Sequence, residues 1–236
     1  MALKAGVVVI GGGVTGVSIA YHLAKRGARD VVVLEKNFLA SGATGKSSAC
    51  VRQHYSTPET CRMVLKSLRF FERFEELTGG RPASFVRTGY LLGVDDRLRR
   101  QMEASVALQQ SVGINTRLLS PDEMSELEPR LETEDLVAGC YEPDSGYADP
   151  SQTTQGFAGA ARDLGVRIME QALVLEILTR GDRIVAVKTS KGEIDSPIVV
   201  NAAGTWGDRI GRMAGLEIPM TVCRHKINFI AWPQEA

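Results

Sequence analysis

Two periods of hydrophobicity alternate along this chain. Residues 7–10 read VVVI, apolar at every position, the pattern of a short strand buried on both faces of a parallel sheet. From Val14 to Arg26 the period becomes helical: Val17, Ala20, Leu23 and Ala24 make one stripe, and Gly27 stops it. Val31–Leu34 is a second buried strand, so the N-terminus reads as a βαβ unit. Pro58–Thr78 is an amphipathic helix with Cys61, Val64, Leu68, Phe71 and Phe74 on one side and Gly79 at its end. Arg87–Val94 reads as a strand, and Asp96–Val112 as a helix stopped by Gly113. Ser120-Pro121-Asp122-Glu123 supplies an N-cap, a proline at the first helical position and the glutamate of a capping box. Asp149 and Pro150 open another helix, which ends near Leu164. Three short strands follow at Arg167–Glu170, Ala172–Thr179 and Arg183–Ser190, the last two forming a hairpin around Arg180-Gly181-Asp182. Pro197–Ala202 is a third buried parallel strand, Gly204 opens the helix after it, and Val222–Trp232 is a last strand.

Between the first strand and the first helix stands GGGVTG, residues 11–16. Gly11 allows the tight turn, Gly13 lets a pyrophosphate approach the backbone, and Gly16 lets helix and strand pack closely. The N-terminus of the helix offers N–H groups and partial positive charge to phosphates. Glu35 ends the second strand, 19 residues after Gly16. A carboxylate there accepts both hydroxyls of an adenosine ribose and repels a 2′-phosphate. NADP is therefore disfavoured, and NAD and FAD both remain.

The chain has 236 residues, 44% of them hydrophobic, with 28 basic and 28 acidic side chains. A neutral chain has no global field toward nucleic acid or an anionic membrane. No stretch is long and apolar enough to span a bilayer. Cys50, Cys61, Cys140 and Cys223 are scattered without a CxxC pair. They read as small buried residues of a reducing, cytoplasmic compartment; no disulfide frame and no metal site is expected.

The Ser/Gly/Thr-rich stretch 36–56, KNFLASGATGKSSACVRQHYS, stands where a simple NAD domain would start its next helix. GGGVTG, VLEK and SGATGKSSACVRQHYS together resemble the FAD-dependent amine oxidoreductases of the D-amino-acid oxidase superfamily, in its sarcosine oxidase β-subunit, dimethylglycine dehydrogenase and glycine oxidase branch. RTGYLLGVDD (87–96), SGYADPSQTTQGFAGAARDLGVRI (145–168) and IVVNAAGTWGDRIGRMAGLEIP (198–219) extend the likeness over almost the whole chain.

The resemblance implies a cofactor, FAD, and roles for particular residues. Gly11, Gly13 and Gly16 would hold the pyrophosphate, and Glu35 the adenosine ribose with Lys36 beside it. Ser41, Gly42, Ala43, Thr44, Gly45, Ser47 and Ser48 would line the phosphates and ribityl chain. The Val174 backbone would meet the adenine edge, and Ala203, Gly204 and Trp206 would stand near the pyrophosphate or flavin. Arg52 and His54 would lie on the flavin-facing, substrate side as catalytic candidates. Taken alone, Arg52 also reads as a surface cation, His54 as a satisfied histidine and Trp206 as core. His22 reads as structural, and His225 could face substrate or merely pack. Some relatives bond FAD to a histidine in the glycine-rich loop; Lys46-Ser47-Ser48-Ala49-Cys50 has none, so no covalent attachment is expected at that loop.

The implied fold is α/β: a Rossmann-like FAD-binding domain (1–81 and 149–219) with an inserted α+β substrate domain (82–148, resuming at 220–236) that is incomplete at the C-terminus. Family members continue past residue 236, so a fragment is expected, or a partner chain or oligomer that supplies the rest. The implied function is oxidation of a small secondary or tertiary amine or amino acid, sarcosine-, dimethylglycine- or proline-like, by hydride transfer to flavin. Two alternatives stay open: an NAD-linked dehydrogenase, and an FAD-binding subunit or remnant without turnover of its own.

Overall fold

Runs of β-branched residues built into a parallel sheet set the architecture. The computed structural model describes residues 3–224 and 226–228. Within it a four-stranded sheet has the order Val199–Asn201, Val7–Ile10, Val31–Leu34, Arg167–Met169, with all neighbours parallel. Val7 faces Val31 and Ile10 faces Leu34, so both central strands end at one level. Every residue of these two strands is buried, as the unbroken apolar runs require.

The helix Val14–Lys25 makes the crossover between them and packs along the helix Pro150–Asp163. Gly16, Ala20, Ala158 and Ala161 are buried in these helices, and Tyr21 meets the ring of Phe157 at 5.6 Å. Alternate sheet residues Val8, Ile10, Val32 and Leu34 share a core with Ile177, Val187 and Ile194. Those three come from a second sheet, the antiparallel run Val174–Arg180, Arg183–Thr189 and Gly192–Asp195, to which Leu3–Lys4 adds in parallel.

The chain divides into two compact units: one takes the described residues through Ser48 and from Pro150 onward, the other is Ala49–Asp149. The first boundary falls upstream of the expected 81/82, because the helix Pro58–Glu72 packs on the helix Arg99–Ser111 of the second unit. The second unit is built on a three-stranded antiparallel sheet in the order Tyr90–Val94, Ala138–Glu142, Arg117–Leu119. Met102, Val106 and Cys140 form its core with Leu92 and Val94. The Ser120 capping box is present in full: Ser120 Oγ accepts from Glu123 N–H, and the Glu123 carboxylate accepts from Ser120 N–H.

Several elements differ from the periodicity reading. The helix expected over 58–78 breaks at Arg73 and resumes as Phe74–Leu77. The break buries Phe74 between Phe70 and Phe71, at ring separations of 5.8 and 6.2 Å. The helix expected from Asp96 opens with a 3₁₀ turn, Asp96–Leu98, capped by the Asp95 carboxylate, before Arg99–Ser111. The helix expected after Gly204 likewise opens with a 3₁₀ turn, Gly204–Trp206, before Gly207–Met213. Residues 222–224 and 226–228 form no strand; His225 and the rest of the expected Val222–Trp232 strand lie outside the described residues.

The shared core carries a stability prediction. Ile194 is 2% exposed, and Ile194→Ala should lower the unfolding free energy in urea by roughly 2–5 kcal/mol. Ile198 is 51% exposed, and Ile198→Ala should change it by less than about 0.5 kcal/mol.

Candidate cofactor groove and a buried polar cluster

At the carboxyl ends of the parallel strands the first unit opens a cavity of about 420 Å³, within the range of small-molecule sites. Of the residues singled out in the sequence, Gly11, Gly13, Glu35, Lys36, Ser41, Gly42, Ala43, Thr44, Val174, Ala203, Gly204 and Trp206 line it. Gly16, Gly45, Ser47 and Ser48 are not among the lining residues. Gly16 instead packs against the turn, where a Cβ would run into the Gly11 carbonyl oxygen, and Gly45 sits against the Ala40 carbonyl in the same way. Gly11 has φ of +119°, so it makes the turn that brings strand into helix.

Glu35 organises this end of the sheet. One carboxylate oxygen accepts the Gly12 N–H at 2.8 Å; the other accepts the Asn37 N–H at 2.8 Å and lies 3.4 Å from Ser41 Oγ. Gly12 has no side chain because a Cβ there would stand 2.7 Å from the Glu35 Cβ. The glycine run signals this contact, but the motif's roles for positions 11, 13 and 16 leave it out. A carboxylate has about four lone-pair directions, so beside these three contacts Glu35 keeps capacity for a sugar hydroxyl. Thr44 Oγ1 accepts the Val14 N–H at 3.2 Å, tying the serine/glycine loop to the first turn of the helix.

Next to Glu35, the Lys36 ammonium lies 3.2 Å from the centre of the Trp206 ring. Burial holds the Lys36 pKa below its ordinary value, with Arg209 and Lys46 adding to the effect and Glu35 opposing it. Thr15, Leu173, Arg209 and Met213 also line the cavity, and no local motif marked them. A side-chain-free cradle at Gly13, helix-end N–H groups, a carboxylate at the second strand and flanking cations are the donor set a dinucleotide needs.

The structure places Arg52 and His54 in the second unit. Arg52 donates to Tyr90 OH at 3.3 Å and lies 5.3 Å from the Tyr55 ring centre. The Tyr90 hydrogen bond raises its pKa further. His54 is half-buried in a polar cluster. Gln109 Nε2 stands 3.1 Å from His54 Nδ1 and also 3.1 Å from the Tyr55 carbonyl oxygen, so the Gln109 amide nitrogen is the donor to both. Nδ1 is therefore the acceptor and Nε2 carries the proton, consistent with a pKa held below the ordinary histidine value by burial and by Arg52.

Cys140 Sγ lies 3.2 Å from the same nitrogen and Glu142 Oε1 3.8 Å from it. Glu142 is fully buried; its other oxygen accepts from Gln53 N–H and Ser145 Oγ at 2.8 and 2.7 Å. Burial pushes the Glu142 carboxyl up, and burial with the nearby Glu142 pushes the Cys140 thiol up to about 12.

The family description "FAD dependent oxidoreductase" matches residues 6–235, nearly the whole chain. The chain belongs to the FAD-dependent oxidoreductase family. The choice left open between NAD and FAD thereby resolves to FAD. The chain is 33% identical over 224 residues to mitochondrial dimethylglycine dehydrogenase of Rattus norvegicus, covering 94% of this chain and 26% of that protein. It is 31% identical over 230 residues to the mitochondrial pyruvate dehydrogenase phosphatase regulatory subunit of Mus musculus, with the same coverage of 94% and 26%. Its fold matches the crystal structure of L-proline dehydrogenase from P. horikoshii with a TM-score of 0.83 and 36% identity, over 91% of this chain and 57% of that one. The chain thus spans about a quarter of the length of these two curated relatives.

In this family setting the Gly13 cradle makes a separable prediction. A Cβ at Gly13 would lie 3.0 Å from Thr44 Oγ1, which must yield by a few tenths of an ångström, and it would stand where the phosphates must approach. Gly13→Ala should leave the far-UV circular dichroism unchanged and weaken FAD binding about tenfold, roughly 1.4 kcal/mol, in a fluorescence titration.

Proposed function

We propose that this chain holds FAD in the groove at Gly11–Gly13, Glu35 and Trp206 and serves the oxidation of a small secondary or tertiary amine or amino acid of the sarcosine, dimethylglycine or proline class. The observation that carries this reading is the groove itself, with Glu35 and the helix end facing one cavity in a chain of this family. The similarity to dimethylglycine dehydrogenase and L-proline dehydrogenase supports the substrate class. FAD, when bound, would supply the two-electron acceptor for a hydride from the carbon beside the substrate nitrogen.

The chain's own residues bind and orient. Gly13 and the first helical turn hold phosphate oxygens, Glu35 holds a ribose hydroxyl, and Lys36 on Trp206 closes the wall beside them. Arg52, a fixed cation with its guanidinium steadied by Tyr90 and Tyr55, is the group we assign to the substrate carboxylate.

The test is anaerobic mixing of the FAD-loaded protein with sarcosine, dimethylglycine and L-proline in turn. Bleaching of the flavin band by one of them is the expected result; an unbleached flavin with all three overturns the assignment. If the protein turns over, Arg52→Met should raise KM for the carboxylate-bearing substrate about tenfold to a hundredfold, with a smaller fall in kcat. A second reading, an FAD-binding chain without turnover, draws support from the similarity to the pyruvate dehydrogenase phosphatase regulatory subunit. Tight FAD without bleaching would favour it.

A further inference from the structure

We propose that His54, Cys140 and Glu142 form a site for one zinc-class divalent cation inside the unit Ala49–Asp149. The inference stands on that unit alone and does not depend on the FAD reading. His54 is more than 80 residues from Cys140 and Glu142 in sequence, and no spacing motif announces the three. Topology brings them together: Cys140 and Glu142 are two residues apart on one strand, so both project from the same face, and His54 follows the Cys50–Val51 strand.

Their ligand atoms all lie within 4.8 Å of one another, with Nδ1 to Sγ at 3.2 Å and Nδ1 to Oε1 at 3.8 Å. Zinc bonds of about 2.0–2.3 Å in tetrahedral geometry put neighbouring ligand atoms roughly 3.3–3.6 Å apart, so small side-chain adjustments close the site. Cys140 and Glu142 are both fully buried.

Two of the three ligands are also oriented. Gln53 N–H and Ser145 Oγ hold one Glu142 oxygen and leave Oε1 aimed at the histidine, buried and without a hydrogen-bond partner. A buried carboxylate oxygen left unpaired costs free energy, and a cation removes that cost. The Gln109 amide, fixed by the Tyr55 carbonyl, shows that the His54 Nδ1 lone pair points into the same space. Gln109 would yield that lone pair to the metal and keep its bond to Tyr55.

The donor set selects the cation. One thiolate, one imidazole and one carboxylate suit zinc, whereas calcium and magnesium take oxygen ligands throughout. The thiolate and carboxylate balance the double positive charge, so the filled site is neutral; the Cys140 proton leaves to solvent on binding. Three protein ligands leave one tetrahedral position for water.

Cobalt(II) is the probe. The chelator-treated 236-residue chain, free of flavin, is titrated with cobalt in two forms: the wild type, and a Cys50→Ser/Cys61→Ser/Cys223→Ser variant in which Cys140 is the sole thiol. We expect one cobalt per chain in both forms, a thiolate-to-cobalt charge-transfer band, and its loss on adding one equivalent of zinc. Cys140→Ser should abolish the band and weaken zinc binding, measured against a chromophoric chelator, by about a hundredfold. No charge-transfer band in the wild-type chain, or a band that survives in Cys140→Ser, would overturn the proposal. The spectrum of the variant with Cys140 as sole thiol decides it even if the Cys140 variant does not fold: a band there supports the site, and its absence overturns it.

Discussion

The bond from the Gly12 N–H to the Glu35 carboxylate is the contact on which the groove depends. It joins the turn after the first strand to the end of the second, at the level where the register pairs Ile10 with Leu34. It requires a glycine at position 12, since any side chain there would occupy the space of the Glu35 stem. It fixes the carboxylate's direction, and through Asn37 and Ser41 it fixes the start of the serine/glycine loop. Thr44 then ties that loop back to the first turn of the helix. The cavity wall is a chain of polar contacts laid over the two fully buried, apolar central strands.

What was legible in the sequence follows from how local its cause is. Four consecutive buried residues at 7–10 and again at 31–34 can serve only a strand covered on both faces, so the parallel sheet was readable. The Ser120 capping box is a four-residue device and appears as written. Leu3–Lys4, Cys50–Val51, Gly146–Tyr147 and Gly192–Asp195 were not readable, because strands of two to four residues exist only through their partners. Ala138–Glu142 is the instructive case. It is the central strand of its sheet, yet AGCYE has neither alternation nor a β-branched run.

The candidate site shows the same division. The glycines and Glu35 could be placed from spacing, since backbone approach and ribose recognition impose spacing. Arg209 and Met213 line the groove from a helix more than 170 residues downstream, where only the fold brings them near. The gathering of His54, Gln109, Cys140 and Glu142 likewise has no trace in local pattern, and pairwise distances carry all the information about it.

The central claim is that the Gly11–Gly13 and Glu35 groove holds FAD without a covalent bond. The most direct measurement is the visible spectrum of the purified protein supplied with FAD and freed of excess, before and after acid precipitation. A flavin band at one equivalent per chain, with the colour released to the supernatant, is the predicted result. A protein that stays colourless would contradict the claim that the groove holds the cofactor. Colour retained in the pellet would contradict the claim that the bond is non-covalent.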